Sequence, residues 1–373
     1  MQLRTPIRRI TDRAHLGLVL SIVAACAYGT LMVWSATWSM ATHDAMFKRH
    51  LIGLALGLLP LAALWVIDYQ KLKAWASPLA LLLGLLVISP RIPGLGDTAK
   101  GATSWLQFAG IRLFQPSEPA KILFIIVMAA VISEYRGKIE EPRDVLKVLG
   151  YAVLPLGLIL LQPDLGTGMV FVAIAFGMLL VGGMKGRYLV IAIVSGLLLV
   201  GLLLVLPQPL TQRQKNRLLV FVDPSRDPEG AGYNLAQSKI ALGSGGLVGK
   251  GLRSGSQSNL NFLPERHTDF IFSVLGEQLG FLGAVLLLAI FLALLSSALS
   301  VSTSARDLFG AVLAAGVLSM WLFQIVENMG MTMGLMPITG IPLPFMSFGS
   351  SAMVTNLAGA GMLLSVWSRR YGT

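Results

Sequence analysis

The sequence predicts an all-α polytopic membrane protein with about ten transmembrane helices. Hydrophobic residues make up 55% of the chain and charged residues only 13%, whereas soluble domains carry about 25% charged residues. The mean hydropathy is +0.73, and apolar runs of membrane length recur from end to end. The single cysteine, Cys26, lies inside one of these runs, so neither an intrachain disulfide nor a Cys/His zinc site is expected.

Ten apolar runs are predicted to be membrane spans. They cover residues 16–37, 51–67, 76–90, 117–134, 146–162, 165–183, 187–206, 270–297, 307–329 and 342–367. The first run follows several arginines, but its length exceeds the roughly 7 to 15 apolar residues of a signal peptide, so we expect an uncleaved span. The third run is short, which leaves the number of spans open by one.

Basic residues are distributed unevenly among the segments that connect these spans. Fifteen Lys and Arg residues fall on the side of the termini, and five fall in the short connections on the other side. The positive-inside rule therefore predicts that both termini are cytoplasmic. The connection 207–268, between spans seven and eight, is then a large extracytoplasmic loop of a single domain that covers residues 1–373. The net charge of +11 is scattered between apolar spans, which favours anionic lipid over nucleic acid as a partner.

This orientation gathers the polar residues of the spans at the outer face and leaves the inner half comparatively bare. Asp269, in FLPERHTDFIF (262–272), lies where the basic loop meets the first apolar residue of span eight. A carboxylate there reaches both water and lipid headgroups, so it is a candidate general base. Capping of the following helix is the alternative. Glu277, two turns further along roughly the same face, is harder to explain as a solvated group.

Two smaller constellations lie on the same side. Glu118 and Lys121, three residues apart at the start of span four, form either a tethering ion pair or a charged wall of an external cavity. Asp164, in the turn QPDLGTG (162–168), either caps the next helix or contacts a ligand.

The long loop combines basic residues with the glycine-rich run GSGGLVGKG (243–251). Exposed amides beside Lys and Arg suit a phosphate or pyrophosphate, and a tightly turned loop is the alternative. The run is not a nucleotide-binding loop, because Gly251 rather than Ser or Thr follows Lys250. GLMPITGIPLPFMSFGSS (334–351) places Pro and Gly at membrane depth, where irregular backbone is tolerated only if it is buried or lines a wet cavity.

Four motifs carry a resemblance to a known family. They are SWLQFAGIRLFQPSEPAK, QPDLGTG, the stretch 223–283 that contains FLPERHTDFIFSVLGEQLGFLG, and PITGIPLPFMSFGSS. Together they resemble the shape, elongation, division and sporulation (SEDS) family of peptidoglycan polymerases over nearly the whole chain. The pair Tyr233-Asn234, the triplet 255–257 and the short tail after Arg370 are more similar to the RodA-type branch, which serves cell elongation, than to the division-specific branch.

The resemblance implies glycosyl transfer at the outer face of the cytoplasmic membrane of a bacterium, from lipid II to a nascent glycan. Asp269 would deprotonate the acceptor 4-hydroxyl, and undecaprenyl pyrophosphate would leave with inversion at the donor carbon. The expected substrate-binding residues are Glu118, Lys121, Asp164, Arg213, Arg217, Lys239, Lys250, Arg266, His267, Thr268, Glu277 and Ser347. No cofactor is certain, and a divalent cation, Mg²⁺ or Mn²⁺, is left open.

The resemblance also implies protein partners, which are a class B penicillin-binding protein with transpeptidase activity and the membrane proteins of the elongation complex. Two other functions are weighed against the glycosyltransferase. A flippase for the lipid-linked precursor would need a hydrophilic path across the membrane, and the bare inner half argues against it. A non-catalytic scaffold of a wall-synthesis complex would tolerate replacement of Asp269.

Overall fold

The computed structural model describes residues 14–99, 102–108, 111–162, 164–205, 212–260 and 262–371. Helices dominate this part of the chain. They are α1 (Leu16–Thr37), α2 (His43–Val66), α3 (Tyr69–Ala74), α4 (Ala76–Ile88), α5 (Ser117–Glu134), α6 (Pro142–Leu160), α7 (Leu165–Val181), α8 (Gly186–Val205), α9 (Gln212–Val222), α10 (Ala231–Ser244), α11 (Ser256–Asn259), α12 (Ile271–Thr303), α13 (Leu308–Met333) and α14 (Ser350–Ser368). A small antiparallel sheet, β1 (Gly96–Ala99), β2 (Ala102–Phe108) and β3 (Ile111–Phe114), lies between α4 and α5. The predicted all-α class is confirmed.

Each of the ten predicted spans corresponds to a helix within these ranges. Four of them, α1, α2, α12 and α13, are both long enough and apolar enough by composition to cross a membrane. Shorter apolar segments are Ala76–Arg91, Leu165–Val181 and Gly186–Gly196. The predicted start of the last span at residue 342 is wrong, because α14 begins only at Ser350. Prolines at 337, 342 and 344 lack the N–H that a helix needs, so residues 334–349 form an irregular segment, here called the strap.

Close helix packing fixes the helices on either side of the strap. Trp321 of α13 is fully buried, and its Nε1–H donates to Asn356 Oδ1 of α14 over 2.9 Å. Helix α14 also packs tightly on α2, where a Cβ on Gly361 would overlap the backbone of Leu61 and one on Gly53 would lie 2.9 Å from Ser350 Cβ. Small residues allow such close approach between membrane helices. The strap therefore runs between the end of α13 and a firmly anchored α14.

Helix α12 is interrupted near one end. Backbone groups that lose their helical partners there form hydrogen bonds with the glycine-rich run instead. Gly280 has φ 66° and ψ −161°, a conformation open essentially to glycine alone. Segments 246–251 and 277–282 exchange four backbone hydrogen bonds of 2.9–3.0 Å, from the Lys250, Gly251, Phe281 and Leu282 amides to the Glu277, Gln278, Gly246 and Leu247 carbonyls. The tightly turned alternative for GSGGLVGKG is thus the observed one. The prediction that backbone amides of this run bind a phosphate is wrong for Lys250 and Gly251, because their N–H groups already donate to the Glu277 and Gln278 carbonyls of α12.

Candidate active site

Asp269 lies between the end of the long loop and the start of α12. The N-cap position of α12 is occupied by Phe270, and no side chain caps it, so Asp269 is not the N-cap residue. The side chain of Asp269 is partly exposed. Its Oδ2 lies 3.2 Å from the point that a Cβ on Gly340 would occupy, and Gly340 has φ +76°. The glycine of the strap therefore leaves room for the carboxylate and adopts a backbone conformation that larger residues disfavour.

The backbone around Asp269 is held from two sides. Asn328 of α13 donates through Nδ2 to the carbonyls of Asp269 (2.9 Å) and of Ile341 in the strap (2.8 Å). Ser347, one of the predicted residues, donates through Oγ to the Thr268 carbonyl over 2.6 Å. A second bond joins the same segments, from Phe348 N–H to the His267 carbonyl (2.8 Å), and Ser347 Oγ itself accepts from Leu343 N–H within the strap (2.9 Å). Residues 267–269 are thus fixed against α13 and the strap, which is the preorganisation that a catalytic carboxylate requires.

A second carboxylate, Glu327, accompanies Asp269 at the end of α13. Glu327 is 1% exposed. Its Oε1 accepts a hydrogen bond from the Thr339 hydroxyl of the strap, whereas its Oε2 has no hydrogen-bond partner among the described residues. The charge of Asp269 lies within electrostatic range of Glu327. Glu327 is not among the predicted site residues, although an acid within a membrane span is itself a signal of function.

Asp164 has the capping geometry that its turn suggested. Its carboxylate accepts from Thr167 N–H (3.0 Å) and from the Thr167 hydroxyl (2.8 Å) at the start of α7. The same group accepts from Gln115 Nε2 over 3.3 Å, which links the turn to the segment before α5. Two residues later, the position of a Cβ on Gly166 lies 3.0 Å from the Thr339 carbonyl. The QPDLGTG turn therefore packs directly against the strap, beside the residues that surround Asp269.

The predicted pair Glu118 and Lys121 forms an ion pair in the first turns of α5. The Lys121 Nζ to Glu118 Oε1 distance is 2.8 Å, and the two residues are 2% and 4% exposed. Glu118 Oε2 has no hydrogen-bond partner among the described residues. Leaving a buried acceptor without a partner costs free energy, so a pair that served only as an interfacial tether is not expected to keep one. The burial of this pair and its unpaired oxygen favour the charged wall of a cavity. The pair lies a few residues after Gln115, and Gln115 donates a hydrogen bond to the Asp164 carboxylate.

The basic residues of the loop divide into two groups. Two of them contact the strap: Arg217 of α9 reaches the Thr339 carbonyl over 3.5 Å, and the side chain of Lys239 packs against Gly334. Arg213 belongs to α9, but its side chain lies outside the described residues. Arg217 and Lys239 are therefore the described cations of α9 and α10 that border the strap.

The second group holds the loop on the helices. Lys250 Nζ lies 3.1 Å from Glu277 Oε1, and Glu277 is fully buried. Arg266 is 1% exposed and donates to the Ala36 carbonyl and to Ser39 Oγ, both over 2.9 Å, at the end of α1. Burial lowers the pKa of the Arg266 guanidinium. These contacts give Lys250, Arg266 and Glu277 a structural role, and their predicted contact with substrate stays a prediction.

The carboxylates of the site do not form a recognisable cation cage. Within the described ranges, no three His, Cys, Asp or Glu side chains come together in a way that could hold a metal ion. Mg²⁺ and Mn²⁺ prefer several oxygen ligands. The described residues therefore do not fit a dedicated cation site.

Comparison with known proteins gives matches over almost the full length. The profile of the FtsW/RodA/SpoVE family, described as cell cycle proteins, matches residues 16–371. Relatives include the probable peptidoglycan glycosyltransferase FtsW of Trichlorobacter lovleyi, 36% identical over 98% of this chain and 95% of that protein, and the peptidoglycan glycosyltransferase MrdB of Escherichia coli, 36% identical over 96% and 95%.

Solved structures match equally broadly. A chain from a study of how a peptidoglycan synthase complex coordinates polymerization and crosslinking superposes with a TM-score of 0.81 at 30% identity, covering 96% of this chain and 99% of that one. The rod shape determining protein RodA of Thermus thermophilus superposes with a TM-score of 0.72 at 29% identity, covering 96% and 98%.

Proposed function

The chain belongs to the FtsW/RodA/SpoVE family of cell cycle proteins, the SEDS family, and we propose that it polymerises lipid II with Asp269 as the general base. It is a peptidoglycan glycosyltransferase, as are its named relatives. Within that activity, we assign it to cell elongation and rod-shape maintenance rather than division. Relatives with FtsW and MrdB names match at the same identity, so this assignment rests on the motifs 233–234 and 255–257.

One observation carries the assignment of Asp269. Asp269 is partly exposed, while its backbone is held by Asn328 and its neighbour Thr268 by Ser347. A general base must meet a substrate hydroxyl at about 2.6–3.2 Å. A carboxylate that reaches solvent from a fixed backbone is suited to that task, because little reorganisation is needed when the acceptor arrives.

The proposed reaction follows from this arrangement. The Asp269 carboxylate takes the proton of the acceptor 4-hydroxyl, and the oxygen attacks the anomeric carbon of lipid II. The bond from that carbon to the pyrophosphate oxygen breaks, and undecaprenyl pyrophosphate leaves with the electron pair. A single activating carboxylate suits inversion, as it does in inverting glycosidases. Arg217 and Lys239, which border the strap, are positioned to offset the charge of the leaving group.

The topology proposed for this reaction keeps both termini in the cytoplasm and the site on the outer face of the cytoplasmic membrane. The distribution of Lys and Arg supports it. As partner we propose a class B penicillin-binding protein that crosslinks the nascent glycan, together with membrane proteins of the elongation complex. The support is that one structural match comes from a complex that couples polymerization to crosslinking.

The test is polymerisation of fluorescent lipid II by the purified protein with its penicillin-binding partner. Asp269→Asn is expected to lower the rate at least about 100-fold, the usual contribution of a general base, with no change in melting temperature. The matched control is Asp68→Asn, because Asp68 caps α3 through Gln70 N–H and asparagine caps equally well. Full polymer yield from Asp269→Asn would refute the proposed base. Absence of polymer from the wild type, with lipid II moving across vesicle membranes, would favour the flippase instead.

A further inference from the structure

A groove on the lipid-facing surface lies between α4, α5 and α6. Its volume is about 360 Å³, and its apolar lining is formed by Ala80, Leu83, Val127, Leu154, Pro155 and Leu158. Two glycines, Gly84 and Gly150, also line it, and a Cβ on either would meet no atom within 4 Å. The groove is therefore open space along the helices that a larger side chain could fill without disturbing their packing.

One end of this groove is polar. Lys147 and Tyr151, one turn apart on α6, line that end, and Tyr151 is 51% exposed. Lys147 makes no hydrogen bond or ion pair with any other residue that the structure describes, and this includes Asp144 three positions earlier. Pro155 has no N–H, so the Tyr151 carbonyl loses its usual helical donor. An ammonium and a phenol thus stand at one end of an apolar groove.

The dimensions match one leaflet of a bilayer. Residues 147 to 158 of α6 follow the groove, and eleven steps of about 1.5 Å give about 16 Å, roughly half of the ~30 Å hydrocarbon core. A partner's transmembrane helix would need the whole thickness. Helix α6 begins at Pro142 and ends at Leu160, shortly before Asp164. Lys147 therefore lies toward the end of α6 that is remote from Asp164, in the leaflet opposite the candidate active site.

From these contacts we infer that the groove binds an anionic glycerophospholipid with a hydroxylated headgroup, such as phosphatidylglycerol. One acyl chain lies along the apolar lining, and the phosphate pairs with Lys147. The Tyr151 hydroxyl, which can both donate and accept, hydrogen-bonds the glycerol hydroxyls. A zwitterionic lipid also brings a phosphate, but its own ammonium competes with Lys147. The site is separate from the one proposed for lipid II.

The test is native mass spectrometry of the detergent-solubilised full chain with dioleoyl phosphatidylglycerol or dioleoyl phosphatidylcholine. The wild type is expected to retain one phosphatidylglycerol in preference to phosphatidylcholine. Lys147→Gln should weaken retention of phosphatidylglycerol about five-fold, from about 1 kcal/mol per basic residue at an anionic headgroup. Lys147→Gln should leave the retention of phosphatidylcholine unchanged. Gly150→Leu fills the groove and should abolish retention of both lipids there.

Gly196→Leu is the matched control, because Gly196 of α8 is also exposed with no atom within 4 Å of a Cβ and lies outside the groove. It should behave as the wild type, and equal melting temperatures of the two leucine variants would establish that both fold. Retention of phosphatidylglycerol by Gly150→Leu at the wild-type level would overturn the inference. So would equal retention of the two lipids by the wild type. A change in oligomeric mass in Gly150→Leu, with lipid retention intact, would show that a helix occupies the groove.

Discussion

Replacing Glu277 with alanine removes the acceptor that fastens residues 250–258 to α12. The buried carboxylate accepts five hydrogen bonds of 2.8–3.2 Å, from Lys250 Nζ, Ser256 Oγ, Gln257 N–H, Ser258 N–H and Ser258 Oγ. Lys250 is partly exposed, so its ammonium can turn toward water after the substitution. The backbone amides of Gln257 and Ser258 are fixed in the chain and cannot turn toward water in the same way. The loss should therefore appear mainly as unsatisfied N–H groups.

The expected cost follows from those two amides. An unsatisfied buried donor costs about 1–3 kcal/mol; because Ser258 N–H is buried and Gln257 N–H is partly buried, the two together should destabilise the protein by about 3 kcal/mol. At about 2 °C per kcal/mol, near the lower end for larger domains, the melting temperature should fall by about 6 °C. The double variant Lys250→Ala/Glu277→Ala should melt at nearly the same temperature as Glu277→Ala, because the lysine loses only a partly solvated partner.

Tryptophan fluorescence during heating measures this effect, since the chain contains seven tryptophans. Glu140→Ala serves as the control: Glu140 pairs with Lys185 over 3.0 Å, but both side chains are largely exposed, and its loss should leave the melting temperature unchanged. An unchanged melting temperature in Glu277→Ala, combined with lost polymerisation of lipid II, would refute the structural role and support direct contact with substrate.

Substitutions at three further positions test other parts of the structure. Gly280→Ala should cost about 1–3 kcal/mol, because φ 66° and ψ −161° are strained for alanine; a melting temperature equal to that of the wild type would contradict the interrupted helix. The pKa of Tyr69 is raised to about 12 by burial and by its hydrogen bond to Asp307. The stability that the neutral phenol gives the folded protein is therefore fully present below pH 10 and is lost as pH rises through 12. The difference in melting temperature between the wild type and Tyr69→Phe should shrink over that range, and a constant difference would argue against the shift. Asp164→Ala should lose about 1 kcal/mol of capping, whereas Asp164→Asn should keep the cap; if both variants lose polymerisation but only alanine loses stability, Asp164 also contacts the substrate.

The membrane helices were predictable from the sequence because a bilayer restricts the chain to few alternatives. A segment that crosses hydrocarbon must satisfy its backbone internally, so apolar length alone indicates a helix. The boundary of α14 was not predictable in this way. Residues 342–349 are apolar enough to continue a span, and their prolines, rather than their hydropathy, end the helix early. The small sheet β1–β3 escaped prediction as well.

The candidate site was predictable only in part. The residue type shows which side chains are charged, but it does not show which residues they contact in the folded chain. Asp269 stood out by its place at a span boundary. Asn328, which fixes its backbone, lies 59 residues away, and no local pattern encodes that contact. Arg266 was expected to bind substrate, and the structure also shows it donating to the Ala36 carbonyl, 230 residues away, a contact that no local pattern encodes.

The exchange of backbone bonds between segments 246–251 and 277–282 has a consequence for biosynthesis. The start of α12 cannot complete its own hydrogen bonding within the helix, because Gly280 interrupts the ladder and the missing partners belong to the preceding loop. During synthesis those partners emerge before α12 does. A chain in which the loop is delayed on its way across the membrane would therefore present unsatisfied backbone groups of α12 to lipid, which is costly in a bilayer.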